Sequence, residues 1–202
     1  MRSLTGTAVH DGLRNGYGYL AHLICVIALC GLASGVQAQG SAGPYVPTPW
    51  PIVDELLKLA DIRKDDFLID LGSGDGRLVI TAARRYGASG MGIDIQAPLV
   101  KLATEGAARE GVSGRVRFLQ ADIFESDLSK ASIVTIYLLP SIMDKLVPKL
   151  VKDLKPGTRI VSHDYPLEGM QYDRVLSFEF PEKVEISGTP RTVLYHYIVP
   201  AR

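Results

Sequence analysis

One stretch of this chain, residues 67–85, constrains its fold more strongly than any other. It reads FLIDLGSGDGRLVITAARR, so an apolar run is followed by three glycines at alternate positions and then by a helix-like segment. Apolar runs and helical patterns continue to alternate up to residue 163, which is typical of a mainly parallel sheet with helices on both faces. The stretch therefore predicts the first strand, the ligand-binding loop and the following helix of an α/β domain.

The tail of the chain changes this pattern. Residues 173–186 and 191–201 have the composition of two strands, and the sequence predicts a turn near residues 187–190 with no helix between them. Such a pair would place an antiparallel strand at one edge of the sheet. We therefore expect an α/β fold, a Rossmann-like doubly wound sheet of seven strands that is mostly parallel with a reversed C-terminal strand.

The N-terminal segment differs from the rest of the chain. Residues 20–36 contain no Lys, Arg, Asp or Glu, follow arginines at positions 2 and 14, and precede a cleavage-like site after Ala38. This pattern indicates a secretory signal peptide or an uncleaved membrane anchor, and a buried N-terminal helix is the alternative. The domain would then be periplasmic or held at the inner membrane, with the cytoplasmic membrane face as the other location. We expect three regions: a signal peptide or anchor at 1–38, a Pro/Gly-rich lead-in at 39–51 and the main domain at 52–202.

Composition narrows the classes of function. Lys and Arg total 22 residues, as do Asp and Glu, so no basic field indicates a nucleic-acid partner. Cys25 and Cys30 both lie in the apolar N-terminal segment. A processed chain would lack cysteine, which excludes a disulfide framework, a thiolate nucleophile and a cysteine-based metal site. We therefore expect neither a nucleic-acid partner nor a bound metal.

The spacing of the glycines separates this loop from the common phosphate-binding loops. In the dinucleotide fingerprint the third glycine comes three residues after the second, whereas Gly76 follows Gly74 by two, and no Lys-Ser/Thr pair completes a P-loop. Asp70 precedes the glycines and Asp75 lies between the last two, and their carboxylates would repel a pyrophosphate at the helix N-terminus. A cationic ligand without phosphate fits better. S-adenosylmethionine (SAM) is such a ligand: loop amides could take its carboxylate and Asp70 its ammonium, while turn glycines without a ligand are the alternative.

Two further acids follow the next strands. Asp94 ends the second strand, where a carboxylate can accept both ribose hydroxyls, and Ile95 would lie against the adenine. After the third strand, the Asp122 carboxylate or the Ile123 amide could meet the adenine amino group. Both acids could instead cap a helix or a turn.

These residues resemble class I SAM-dependent methyltransferases, which carry such a loop and such strand-end acids in this order. Three segments narrow the resemblance, because PYVPTP at 44–49, DLGSGDGR at 70–77 and YLLP at 137–140 are similar to a family of protein-lysine methyltransferases. Its eukaryotic members are mitochondrial and modify the ATP synthase c-subunit and the adenine nucleotide translocase. The resemblance covers roughly residues 44–202.

The resemblance implies a role for each matched position. Tyr45 and Thr48 would form part of a lid over the cofactor, and Tyr137 would face the transferred methyl group. The implied partner is a protein acceptor, and membrane proteins are acceptors of the relatives. The cofactor-binding set combines the lead-in, the loop and the strand ends: Tyr45, Thr48, Asp70, Gly72, Ser73, Gly74, Asp94, Ile95, Asp122 and Ile123.

The chemistry of methyl transfer points to a second group of residues. Transfer from a sulfonium depends mainly on positioning, and a lysine nucleophile must be neutral. Candidate catalytic residues at strand ends are Tyr137, His163 and Asp164, of which the last two could act as a base pair. A hydrogen-bonded turn is the other interpretation of His163 and Asp164.

Other functions stay open at this point. The chain could be a non-catalytic cofactor-binding or interaction domain at the cell envelope, although Asp70, Asp75 and Asp94 together favour an intact cofactor site. It could also methylate a small molecule. The glycine spacing and the reversed final strand disfavour an NAD-dependent oxidoreductase. Export would depart from the relatives, because an exported domain has no evident supply of SAM.

Overall fold

The structure, a computed structural model, describes residues 45–201. The expected signal or anchor region at 1–38 lies outside these residues, as does the lead-in up to residue 44, so both assignments stay predictions. Within residues 45–201, no helix combines the length and the apolar character needed to cross a lipid bilayer.

The described residues form alternating strands and helices, as the sequence predicts. The helices are α1 (Trp50–Leu59), α2 (Arg77–Tyr86), α3 (Ala97–Arg109), α4 (Pro140–Asp153) and the single-turn α5 (Val184–Ser187), which follows a 3₁₀ turn at Pro181–Lys183. The strands are β1 (Phe67–Leu71), β2 (Ser89–Asp94), β3 (Val116–Gln120), β4 (Ile133–Ile136), β5 (Arg159–His163), β6 (Arg174–Glu179) and β7 (Arg191–Ile198). Helix α1 begins at Trp50, so it starts within the expected lead-in at 39–51.

The strands form one seven-stranded sheet in the order β3-β2-β1-β4-β5-β7-β6. The strands β1 to β5 pair in parallel, and β7 runs antiparallel to both β5 and β6. This confirms the doubly wound sheet with a reversed C-terminal strand. The order reverses between β1 and β4, and the carboxyl ends of these two strands flank the crevice where ligands bind in such sheets.

A hydrophobic core lies on each face of the sheet. Helices α1, α2 and α3 cover one face, and α4 covers the other. Side chains alternate along β1, since Leu68 packs in the first cluster and Ile69 in the second. A strand buried on both faces reads as a continuous apolar run, which is why the sequence identified β1.

The expectation that no helix separates the last two strands is wrong. The chain makes a 3₁₀ turn at Pro181–Lys183 and one turn of helix at Val184–Ser187 before β7 begins. Pro181 opens this segment, where its missing N–H is tolerated, and Gly188 ends it in the left-handed conformation with φ 75°. The β-branched residues predicted a strand here, but tertiary contacts override so weak a preference. The helical segment carries Lys183 into the protein interior, where it is 1% exposed.

Candidate active site

The glycine loop between β1 and α2 is shaped by three left-handed residues. Gly72, Gly74 and Gly76 have φ of 77°, 54° and 78°, which side chains other than glycine rarely adopt. A methyl group on Gly72 would lie 2.6 Å from Leu138 Cδ2, and one on Gly74 would clash with the Tyr45 ring. The loop therefore contacts both the lead-in and the segment after β4, two of the three segments on which the resemblance rests.

Most N–H groups of this loop are used within the chain. Those of Gly72 and Ser73 donate to the Ile93 carbonyl at 2.9 and 3.1 Å, and that of Gly76 donates to the Ser73 carbonyl at 2.9 Å. The Ser73 side chain points towards β2, where a methyl group on Gly92 would lie 2.5 Å from Ser73 Oγ. The hypothesis that loop amides hold the cofactor carboxylate therefore gains no support from this geometry.

Asp94 ends β2 beside the loop and is buried. Its Oδ2 accepts the Gly74 N–H at 2.9 Å, and its Oδ1 accepts the Gln96 N–H at 2.9 Å. A carboxylate has about four acceptor positions, so both oxygens keep capacity for hydroxyl donors. Asp94 thus fits a ligand with two neighbouring hydroxyls, and the half-buried Ile95 follows it directly.

Asp70 and Thr135 face each other across the point where the strand order reverses. They are register partners on β1 and β4, and the Thr135 hydroxyl donates to Asp70 Oδ1 at 2.6 Å. Burial raises the pKa of the Asp70 carboxyl to about 7, although the Thr135 bond opposes the shift, and the charges of Asp94 and Asp75 raise it further. A buried acid of this kind favours a bound cation, which would stabilise its ionised form.

Asp75 does not add a free negative charge to the loop, contrary to the sequence argument. Its carboxylate is paired with the Arg77 guanidinium, with Nε 2.8 Å from Oδ1 and Nη2 2.5 Å from Oδ2. Arg77 Nη1 also donates to the Thr48 carbonyl at 2.7 Å, and the guanidinium lies 5.0 Å from the Trp50 ring centroid. The Asp75–Arg77 pair therefore attaches the end of the lead-in to the first turn of α2.

The lead-in lies over the glycine loop, in the position that a lid would take. Tyr45 packs its ring on Gly74, and Thr48 is buried. Burial raises the pKa of the Tyr45 phenol, and the nearby Asp75 carboxylate raises it further. The two lead-in residues named from the resemblance are thus brought to the loop.

Asp122 and Ile123 follow β3, the strand beyond β2. Asp122 Oδ1 accepts the Phe124 N–H at 2.8 Å in a tight turn. Both Asp122 and Ile123 stand at the end of the sheet where Asp94 ends β2, since β2 and β3 pair in parallel. This turn is one of the two roles that the sequence left open for Asp122. The second carboxylate oxygen of Asp122 can still accept a hydrogen bond from a ligand.

Tyr137 and His163 lie together at the ends of β4 and β5. Their ring centroids are 4.0 Å apart with an interplanar angle of 32°, and the Tyr137 hydroxyl is 3.5 Å from Asp164 Oδ2. Burial raises the pKa of the Tyr137 phenol well above its ordinary value, and the Asp164 charge raises it further. Leu138 ties this pair to the loop, because it contacts Gly72.

The arrangement of His163 and Asp164 does not match a hydrogen-bonded base pair. Neither ring nitrogen of His163 has a hydrogen-bond partner among the described residues, and Nε2 lies 3.6 Å from Asp164 Oδ2. Burial lowers the pKa of His163 to about 4, against the attraction of Asp164. The imidazole is therefore neutral near pH 7 and is held by packing.

Sequence reasoning missed Lys183, the partner that Asp164 does have. Lys183 Nζ donates to Asp164 Oδ1 at 2.7 Å and to the Arg191 carbonyl at 2.6 Å, and it lies 2.6 Å from Asp164 Oδ2. Pro181 was a signal for a turn in this segment. No local signal marks Lys183, because lysines on short helices are usually solvated.

Comparisons with known proteins identify the family to which this chain belongs. The model of the ANTKMT methyltransferase domain matches residues 70–174. The chain is 37% identical over 157 residues to a protein-lysine N-methyltransferase of Saccharolobus islandicus (strain REY15A), covering 77% of this chain and 93% of that one. It is 35% identical over 152 residues to the mouse adenine nucleotide translocase lysine N-methyltransferase, covering 75% of this chain and 62% of the relative.

A similar protein of known structure supports the expected cofactor. A protein of Salinibacter ruber, described as an RNA methyltransferase in complex with S-adenosylhomocysteine, is 47% identical with a TM-score of 0.71. The match covers 78% of this chain and 95% of that one. With its doubly wound sheet, its glycine loop and its strand-end acids, this chain belongs to the ANTKMT methyltransferase family of class I SAM-dependent methyltransferases.

Proposed function

We propose that this protein transfers the methyl group of SAM to a lysine amine of a protein acceptor. The observation that carries the proposal is the 37% identity to a protein-lysine N-methyltransferase, which the match spans over 93% of its length. The match extends over nearly the whole relative and is therefore not confined to the cofactor loop. We therefore do not interpret this chain as a non-catalytic interaction domain at the cell envelope.

The cofactor would lie across the carboxyl ends of β1 and β2. Asp94 would accept the ribose hydroxyls, and Asp70 would face the ammonium of the methionine part. Ile95 would lie against the adenine, with Asp122 and Ile123 at its edge. The remaining residues would enclose the cofactor: Tyr45, Thr48, Gly72, Ser73 and Gly74.

The reaction is an in-line displacement at the sulfonium methyl. The nitrogen–carbon bond forms from the amine lone pair while the carbon–sulfur bond breaks, its electron pair stays on sulfur, and S-adenosylhomocysteine leaves. For each methyl added, the amine must lose one proton to solvent before it attacks, and the product of the transfer is a positively charged methylammonium. Tyr137 would line the path of the amine beside the loop, because its neighbour Leu138 contacts Gly72. Positioning accounts for most of the rate in such a reaction.

RNA is the second candidate acceptor. The Salinibacter ruber protein described as an RNA methyltransferase is 47% identical to this chain. Against RNA stands the balance of 22 basic and 22 acidic residues, because an RNA-binding surface usually carries an excess of Lys and Arg.

One labelling experiment separates the two acceptors. Purified protein is incubated with methyl-labelled SAM and, separately, with membrane protein, soluble protein and total RNA from the source cell. We expect label in protein, and mass spectrometry should locate it on lysine; the Asp94→Ala variant is the matched control for background. Label in RNA alone would overturn the proposed acceptor while leaving the methyltransferase activity intact.

We also propose that residues 1–38 direct export or anchor the protein at the membrane, on the strength of their charge-free run at 20–36. A fusion of alkaline phosphatase after residue 42 tests this, because that enzyme becomes active only after export. An active fusion is expected. An inactive fusion at normal expression would rule out export of the domain.

A further inference from the structure

We propose that Lys183 is a positioning residue that neutralises Asp164, so that the acceptor amine meets an uncharged site beside Tyr137 and loses its proton through desolvation. The inference rests on the proposed amine acceptor. It concerns four residues, which we name the acceptor cluster: Tyr137, His163, Asp164 and Lys183. These residues lie at or just after the ends of β4 and β5 and in the helical segment before β7, so only the folded chain assembles them.

The geometry of Lys183 is that of a buried ammonium paired with a carboxylate. Its side chain is 1% exposed and that of Asp164 is 15% exposed. Nζ donates hydrogen bonds to Asp164 Oδ1 at 2.7 Å and to the Arg191 carbonyl at 2.6 Å, and it forms an ion-pair contact of 2.6 Å with Asp164 Oδ2. With so little exposed surface, Lys183 does not approach a substrate itself and acts through Asp164.

Asp164 is held rigidly for this contact. Its φ is 63°, a left-handed conformation that aspartate adopts only at a cost. Its N–H donates to the Val193 carbonyl at 2.7 Å, and its Oδ1 accepts the Val193 N–H at 3.2 Å. Such strain persists only where surrounding contacts over-determine it, and it concentrates at functional sites.

The charges that face the cluster sum to zero. Lys183 carries +1 and Asp164 carries −1, and His163 is neutral because burial lowers its pKa to about 4. Tyr137 stays protonated because burial and the Asp164 charge raise its pKa, with Tyr165 as a further neighbour. The Arg191 contact comes from the main-chain carbonyl and not from the guanidinium.

An uncharged and partly buried site favours the neutral form of an amine. If Lys183 were absent, the Asp164 carboxylate would attract the acceptor ammonium and hold its proton on. An unopposed negative charge raises the pKa of a neighbouring amine. The limb of the pH profile in which kcat rises as the amine becomes neutral therefore moves to higher pH.

The test compares the pH dependence of kcat in three variants. Lys183→Met should move the limb upward by about one pH unit and lower kcat roughly 10-fold near neutral pH, with recovery in more alkaline buffer. Lys183→Arg should keep the wild-type limb, and the double variant Lys183→Met with Asp164→Asn should return to it because the charge is removed on both sides. Where the single variant does not fold, the double variant and Lys183→Arg still decide: a displaced limb in either overturns the proposal.

A second measurement does not depend on the acceptor. The Lys183 charge lowers the pKa of His163 and the Asp164 charge raises it. Burial, the largest cause of the low His163 pKa, is unchanged in Lys183→Met, but the imidazole should still titrate above about pH 4, which NMR of the protein without acceptor can follow. An unchanged His163 titration, or an unchanged kcat limb with lower thermal stability, would make Lys183 purely structural. If RNA proves to be the acceptor, lysine labelling fails while the His163 shift remains, so the two failures are distinguishable.

Discussion

The main-chain N–H of Gly74 donates a hydrogen bond of 2.9 Å to Asp94 Oδ2, and this bond joins the glycine loop after β1 to the end of β2. The same carboxylate accepts the Gln96 N–H, so Asp94 is fixed before any ligand binds. A residue fixed in this way can bind hydroxyl groups without first losing conformational freedom.

Asp94→Asn should weaken SAM binding by about 1–3 kcal/mol, because one charge-assisted acceptor is replaced by a neutral amide with a misplaced donor. Titration calorimetry measures the change. Asp127→Asn is the matched control, since Asp127 is an exposed carboxylate that also accepts a main-chain N–H, from Ser129. Equal affinities for the two variants would remove Asp94 from the cofactor site.

Asp70→Asn should raise the stability of the protein and at the same time weaken cofactor binding. Burial raises the pKa of Asp70 to about 7, so the folded state prefers the protonated acid, and the stability that this preference adds is present at low pH and is lost as pH rises through about 7. The neutral amide should therefore raise the thermal midpoint at about pH 8 by at least about 3 °C and remove this pH dependence. It should also weaken SAM binding, because the ammonium loses its anionic neighbour.

The linkage also predicts how wild-type affinity responds to pH. SAM should bind more weakly as pH falls below about 7, since a proton on Asp70 then competes with the ammonium. Calorimetry across this range checks the trend. A slope that persists unchanged in Asp70→Asn would assign it to another group.

Arg77→Met should loosen the lead-in. The guanidinium holds Asp75 and the Thr48 carbonyl together, so its loss should raise the SAM dissociation rate roughly 3- to 10-fold and speed proteolysis around residues 45–50. Arg84→Met is the control on the same helix, because its exposed pair with Glu110 contributes less than about 1 kcal/mol. Stopped-flow release of the cofactor and limited proteolysis measure the two effects. Equal release rates and equal proteolysis in the two variants would show that Arg77 does not hold the lead-in in place.

Gly74→Ala should destabilise the protein more than Gly111→Ala. Both glycines have positive φ, 54° and 68°, so both substitutions carry about 1–2 kcal/mol of backbone strain. Only at Gly74 does the added methyl group meet another residue, the Tyr45 ring, whereas nothing lies within 4 Å at Gly111. Thermal unfolding should show the difference, and the Tyr45→Ala background should reduce it.

Local patterns in the sequence were sufficient for most of the fold. Apolar runs and helical spacing located β1, and the glycines located the loop, because strands buried on both faces and tight turns leave strong compositional traces. Asp70 and Asp94 could be placed at one edge of the sheet for the same reason, since parallel strands end together. The short helix at Val184–Ser187 was missed because its β-branched residues favour a strand, and only packing decides otherwise.

The sequence by itself therefore determined the sheet, the position of the glycine loop and which acids follow which strands. The tertiary structure alone decided which charges remain available. Asp75 is matched by Arg77, Asp164 is matched by a lysine 19 residues away, and His163 is buried without a hydrogen-bond partner among residues 45–201. These outcomes depend on burial and on contacts between distant segments, which set the ionisation of a side chain and leave no local pattern in the sequence.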